Sequence, residues 1–317
     1  MVAALGSRAC GLAGLVICVR FGRVGKLRSV QVLRGVAAVG VVLFHYGSIE
    51  IGRAGVDLFF VISGFIMANV IPGKTVFEFV RARFFRIFPP YFAATVLVLV
   101  TGQAVLTPAR LFDSALLIPS GDFYLPQAWT LVFEMIFYLG CAAFMLTGKW
   151  AFALLPLAWI FERLAHSGYT GIAATPLFLE FFLGLFVARL PPRFGWASIA
   201  LAFAAVFVLH SVDIDRLLKF GIPAAFLLHG CICLERHFAG WAVPALIGDA
   251  SYSIYLTHWT FLALIPGRLW LLNAYFATML GLAFYLAIER PLVSFFSGRL
   301  ALGRYRLVGM PARQKRR

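Results

Sequence analysis

The sequence predicts an all-α, polytopic membrane protein, and three observations carry that prediction. The first is composition. Of 317 residues, 62% are hydrophobic and 13% charged, with a mean hydropathy of +0.91, whereas soluble domains are about 45–50% apolar and about 25% charged. The second is the form of the apolar stretches. They are long and continuous, as spanning helices require, where a membrane barrel would alternate over about ten residues. The third is the placement of the basic residues, which segregate to one side of the predicted topology.

A spanning helix needs about 20 mostly apolar residues. Such stretches fall near 32–49, 55–72, 89–106, 126–147, 149–161, 172–188, 195–211, 217–234, 242–265 and 269–288, ten in all. The 149–161 stretch is the shortest and follows its neighbour after only Gly148 and Lys149. With both termini cytoplasmic, 22 of the 28 Lys and Arg residues lie on the inner side. Arg53, Arg110, Arg163, Arg216, Lys219 and Arg268 fall outside, and an odd number of spans would break the segregation. The net charge of +15 is therefore read as the positive-inside bias of a plasma or inner membrane protein, in contact with lipid and not with nucleic acid.

One domain is expected over 29–292. Before it lies an extension, 1–28, whose apolar core ACGLAGLVICV (9–19) is too short to span. It is read as an interfacial segment or an over-long start, since no small-residue cleavage site follows it. A basic cytoplasmic tail, 293–317, closes the chain. Cys10, Cys18, Cys141, Cys231 and Cys233 all sit in apolar stretches without metal-ligand spacing. No metal is expected. Phosphate-loop and dinucleotide fingerprints are also missing, so nucleotide hydrolysis and hydride transfer have no support.

Ionisable groups inside spans cost about 2.5–3.5 kcal/mol on insertion scales, so each is a candidate for function. The first span, VQVLRGVAAVGVVLFHYGS, carries Arg34 at its inner end and His45 toward its outer end, roughly 16 Å apart at the helical rise. Arg34 is either a snorkelling anchor or a functional cation. His45 is either a core histidine satisfied by a carbonyl or a general base, its pKa range suiting the latter. Asp57, at the start of the second span, is either a favourable helix N-terminal charge or the carboxylate that orients His45. Ser63 and Gly64 read as packing residues. Glu134 lies about eight residues into the fourth span without a cation nearby in sequence, so its partner must come from another helix. Trp129, just before it, suits an interface belt. In GDASYSIYLTHWTF of the ninth span, Tyr252, Tyr255 and Trp259 share a helical face beside His258. That stripe either packs against other helices or stacks on a sugar ring. Arg81, Arg83 and Arg86, in an inner loop ahead of Pro89 and Pro90, are ordinary positive-inside charges or a fork for a multiply phosphorylated ligand.

Taken as an ordered set, these segments resemble the acyltransferase family 3 membrane proteins, in particular the exopolysaccharide-production branch. The residues that carry the resemblance are LRGVAAVGVVLFHY with Arg34 and His45, GVDLFFVISGF with Asp57, RARFFRIFP with Arg83 and Arg86, WTLVFEMIFY with Trp129 and Glu134, SYSIYLTH with Tyr255 and His258, and ERPL at Glu289. The resemblance implies O-acylation of a cell-surface carbohydrate, acetylation by the family default, from cytoplasmic acyl-CoA. It implies an essential role for Arg34, catalysis by His45 and binding of the CoA phosphates by Arg83 and Arg86; the reading of the spans adds Asp57 and Glu134 as catalytic candidates and Trp129, Tyr255 and His258 as candidate acceptor contacts. In this reading His45, oriented by Asp57 or Glu134, deprotonates a sugar hydroxyl or carries the acyl group itself. The rival reading of the same intramembrane charges is a transporter or flippase of a lipid-linked glycan.

Overall fold

The structure, a computed structural model, describes residues 27–118, 122–148, 177–209, 211–264 and 269–296. These residues are helical or lie in turns, and no strand occurs among them. The helices are α1 (Arg28–Gly47), α2 (Ala54–Val70), α3 (Val76–Val100), α4 (Pro108–Leu116), α5 (Trp129–Thr147), α6 (Leu177–Val187), α7 (Gly195–Leu209), α8 (Ile222–Cys233), α9 (Ala242–Asp249), α10 (Ser251–Leu264), α11 (Trp270–Phe284) and α12 (Arg290–Phe296). Five stretches are long and apolar enough to cross a membrane: 28–47, 50–70, 76–100, 126–147 and 270–296. Shorter apolar helices cover 177–187, 195–209 and 217–233. The expected 149–161 span, the extension up to residue 26 with Cys10 and Cys18, and most of the basic tail lie outside the described residues. Bulky apolar side chains such as Val100, Leu139, Phe186, Phe207 and Leu271 point outward, the pattern of a bundle surrounded by lipid.

Two elements differ from the sequence expectation. The third helix begins at Val76, not at the Pro-Pro pair. Thr75 and Glu78 form a capping box that starts it, and Pro89 and Pro90 lie in its interior. Each proline removes one backbone donor, a loss that membrane helices tolerate where neighbours supply hydrogen bonds. The acceptors left without a helical donor are the Phe85 and Arg86 carbonyls; in the same turn the Tyr252 hydroxyl donates to the Ile87 carbonyl at 3.0 Å and ties α10 to α3. Arg81, Arg83 and Arg86 are consequently helical residues with fixed directions, not loop residues. The expected 242–265 span is two helices, parted at Ala250. The first packs on the base of α1, where a Cβ on Gly248 would stand 1.7 Å from the Gln31 carbonyl oxygen.

The N-cap residue Leu27 does not cap the start of α1 with its own side chain. Glu235 does so from another part of the chain, accepting the backbone N–H groups of Arg28 (2.6 Å) and Ser29 (3.0 Å), a carboxylate where the helix dipole favours one. Another close crossing joins α2 to α6. A Cβ on Gly64 would lie 1.9 Å from the Phe181 carbonyl oxygen, and one on Gly184 would lie 1.9 Å from that of Val61. Backbone cannot yield as a side chain tip can, so this is a small-residue crossing of the kind that holds membrane helices together. Gly64→Leu is expected to cost about 3 kcal/mol and to lower the thermal midpoint in detergent. Gly240→Ala, whose methyl would meet nothing within 4 Å, serves as the control and should leave the midpoint unchanged.

Candidate active site

Two cavities lie one above the other along the bundle, and between them they gather most of the polar residues that the sequence singled out; Asp57, His258 and Glu289 are buried behind lining residues, and Arg81 is on the surface. The first, of about 110 Å³, is lined by Arg34 from the N-terminal half of α1, Arg83 and Arg86 from α3, Glu134 and Tyr138 from α5, and Tyr252 from α10. The second, of about 270 Å³, is lined by His45 from the far end of α1, together with Arg53, Gln127, Trp129, Arg216 and Trp259. Val56 and Tyr255 border both. Antiparallel helices explain the sorting, because the end of α1 meets the beginnings of α2 and α5.

In the arginine cavity the cations are already partly engaged. Arg86 is hydrogen-bonded and ion-paired to Glu289, which also accepts from the Ser253 hydroxyl at 2.5 Å. The Glu289 side chain is only 1% exposed. Arg83 lies over the Tyr138 ring at 5.8 Å with no hydrogen-bond partner for its Nε, and Glu134 accepts from the Tyr138 hydroxyl. Arg81 is exposed and does not line the cavity. The Glu289 partnership joins residues 203 positions apart, so nothing local in the sequence discloses it.

His45 and His258 meet in the histidine cavity. Their Nδ1 and Nε2 atoms are 3.1 Å apart, and the ring centroids stand at 5.0 Å. The other nitrogen of His258, Nδ1, lies 2.7 Å from the Tyr255 carbonyl oxygen. A carbonyl only accepts, so His258 Nδ1 carries a proton. A neutral His258 then presents its Nε2 lone pair to His45, which makes His45 the donor at Nδ1 and leaves its own Nε2 as a free base. His258 is fully buried, where an imidazolium with no anion beside it would be costly. The Trp259 ring lies 4.9 Å from the His45 ring, tilted at 53° to it, and the Tyr46 hydroxyl donates to the His258 carbonyl at 3.1 Å.

The expected orienting carboxylates are elsewhere. Asp57, fully buried, is held by Arg216, whose Nε and Nη2 reach its two oxygens at 2.8 and 2.9 Å. Glu134 belongs to the arginine cavity. Neither is hydrogen-bonded to His45, and the partner that fixes its tautomer is His258, 213 residues away. Tyr255 is tied down by Thr130, whose hydroxyl is 2.8 Å from the phenol oxygen. Gln127 clamps the same helix by donating to the Leu256 carbonyl at 2.5 Å. The expected aromatic stripe holds together along α10, with Tyr252 facing the arginine cavity, Tyr255 bordering both and Trp259 facing the histidine cavity. Sequence reasoning missed Arg216, Gln127 and Thr130 as site residues. Arg216 had one available signal, as a basic residue on the wrong side of the charge segregation. No group of three or more His, Cys, Asp or Glu suited to a metal occurs among the described residues.

A histidine base facing one cavity and an arginine-lined chamber beneath it suit group transfer between two substrates that enter from different directions. Comparisons with known proteins also point to group transfer. A family model described as "Acyltransferase domain" matches residues 27–288. The chain is 33% identical to the exopolysaccharide production protein ExoZ of Rhizobium meliloti (strain 1021), over 77% of this chain and 90% of that protein. It is 26% identical to the putative membrane-bound transacylase BcsY of Komagataeibacter xylinus, over 74% of this chain and 72% of the relative. No solved structure matches it. The chain belongs to acyltransferase family 3 and is a multi-pass membrane acyltransferase.

Proposed function

We propose that the protein is an inner-membrane O-acetyltransferase, moving an acetyl group from cytoplasmic acetyl-CoA to a hydroxyl of an exported or cell-surface polysaccharide. Membership of an acyltransferase family supports transfer over the flippase alternative, and ExoZ, a relative named for exopolysaccharide production, supports the carbohydrate acceptor. The observation that carries the mechanism is the His45–His258 hydrogen bond at the cavity wall.

In this reading both termini are cytoplasmic and the arginine cavity faces inward. Arg34 and Arg83 hold the phosphates of CoA there as forks, and Arg86, shared with Glu289, adds to the positive field. The pantetheine arm passes Val56 and Tyr255 to bring the thioester beneath His45. A sugar ring enters the histidine cavity against Trp129 and Trp259. His45 Nε2 takes the proton of the attacking hydroxyl, and the oxygen adds to the thioester carbonyl. The tetrahedral intermediate expels the CoA thiolate, which receives that proton from His45. His258 orients the base through its Nε2 and is a positioning residue.

His258→Ala should therefore lower kcat about 10- to 100-fold, the scale of a lost orienting partner, while the KM for acetyl-CoA stays unchanged. A variant with full kcat would remove His258 from the mechanism. Purified protein supplied with acetyl-CoA and an acceptor polysaccharide tests the function itself. Release of free CoA together with a mass gain of one acetyl group per modified sugar is expected, and no acetyl gain would overturn the assignment.

A further inference from the structure

We propose that the acceptor is acidic: the sugar acylated at His45 carries a carboxylate or phosphate, and Arg216 is the group that recognises it. The inference rests on the carbohydrate reading above and adds the acceptor's charge. Among the described residues, the charged groups lining the histidine cavity are Arg53 and Arg216, with no carboxylate on its wall. Asp57, which holds Arg216, is itself fully buried. The cavity therefore meets the cationic end of the pair while the anionic end is hidden.

The guanidinium is also presented in a defined way. Asp57 occupies the Nε and Nη2 side of the fork, and the Arg53 carbonyl lies 3.5 Å from Nη2. The two N–H groups of Nη1 remain, on a side chain 27% exposed. A bidentate clamp on one edge fixes the guanidinium plane, so the remaining edge is already oriented for an oxyanion. Arg53 stands on the same wall, 47% exposed and joined to Glu50 at 3.4 Å on the surface. Gln127 adds a buried Oε1 without a hydrogen-bond partner, an acceptor suited to a sugar hydroxyl. Stability alone does not account for the Arg216–Asp57 pair, because a buried ion pair is often no better than apolar residues of the same volume. A neutral sugar could be held by the uncharged polar groups and tryptophans already present.

The test uses the full-length purified protein in lipid nanodiscs, with labelled acetyl-CoA and three oligosaccharides of equal length. One is neutral, one ends in glucuronate and one carries a sugar phosphate. A charged acceptor should be used with a kcat/KM about 10- to 100-fold above the neutral one, the range of a charge-assisted hydrogen bond. The preferred arm identifies carboxylate or phosphate. Arg216→Gln should abolish that preference by raising the KM for the charged acceptor, with the KM for acetyl-CoA unmoved. Should that variant fail to fold because Asp57 is stranded, the double variant Asp57→Asn/Arg216→Gln removes both charges and carries the same expectation. Equal use of the three acceptors by the wild-type protein would overturn the proposal and spare the carbohydrate reading. So would a preference that survives loss of Arg216. Transfer to none of the three would overturn both.

Discussion

His45→Ala should lower the rate of acyl transfer by about a thousandfold, within the range for loss of a general base, while the protein still inserts and binds acyl-CoA. His258 takes its own Nδ1 proton to the Tyr255 carbonyl and offers Nε2 to His45, so the unpaired lone pair of the two rings is His45 Nε2. Alanine removes that lone pair and leaves a small void beside Trp259. Labelled acetyl-CoA and membrane-embedded protein suffice for the measurement, with donor binding as the control for folding. Transfer at the wild-type rate would eliminate His45 as the base. A rapid-quench experiment without acceptor separates the two chemistries. Direct transfer leaves no label on the protein, whereas an acyl-histidine step would leave label that His45→Ala abolishes.

The second large effect concerns Arg86 and separates two roles. Arg86→Ala strands Glu289, a carboxylate 1% exposed whose remaining partner is the Ser253 hydroxyl. Breaking a buried pair from one side costs about 3–5 kcal/mol, so the variant should unfold at a markedly lower temperature. The double variant Arg86→Ala/Glu289→Ala removes both charges and should recover most of that stability. If Arg86 also serves the CoA phosphates, the recovered protein will still show a KM for acetyl-CoA raised about tenfold or more. A double variant with normal donor KM would make the arginine purely structural. Thermal midpoints and donor KM measured on the same three proteins decide it.

Which residues gather around the two cavities was legible in the sequence, because an ionisable group in an apolar run stands out by its cost. Arg34, His45, Glu134 and His258 were visible for that reason, and all of them line or adjoin the two cavities. Their partnerships were not legible. His45 to His258, Asp57 to Arg216 and Arg86 to Glu289 join positions 213, 159 and 203 residues apart, and no periodicity encodes a contact between helices. The expectation of a carboxylate behind His45 came from the commonest orienting group. Here the hydrogen-bond partner of His45 is a carbonyl-anchored imidazole, which places no carboxylate beside it. Helix limits failed where hydropathy is silent. Pro89 and Pro90 looked like a start because most helices exclude interior proline, yet a capping box that opens at Thr75, well upstream of Pro89, already begins α3 in residues too polar to read as a span. The division at Ala250 has no marker in GDASYS. It is set by the close seat of Gly248 on α1.

Val56 and Tyr255 border both cavities, and Tyr255 is pinned by Thr130. A passage wide enough for a pantetheine arm is, when empty, also a route for ions down the electrical gradient of an energised membrane. In the proposed reading, a valine and a hydrogen-bonded phenol ring stand at the border that the arm crosses, and their apolar surface and fixed hydroxyl would insulate the bilayer between turnovers. Smaller groups at this partition would be expected to cost the cell proton-motive force before they cost it acyl transfer.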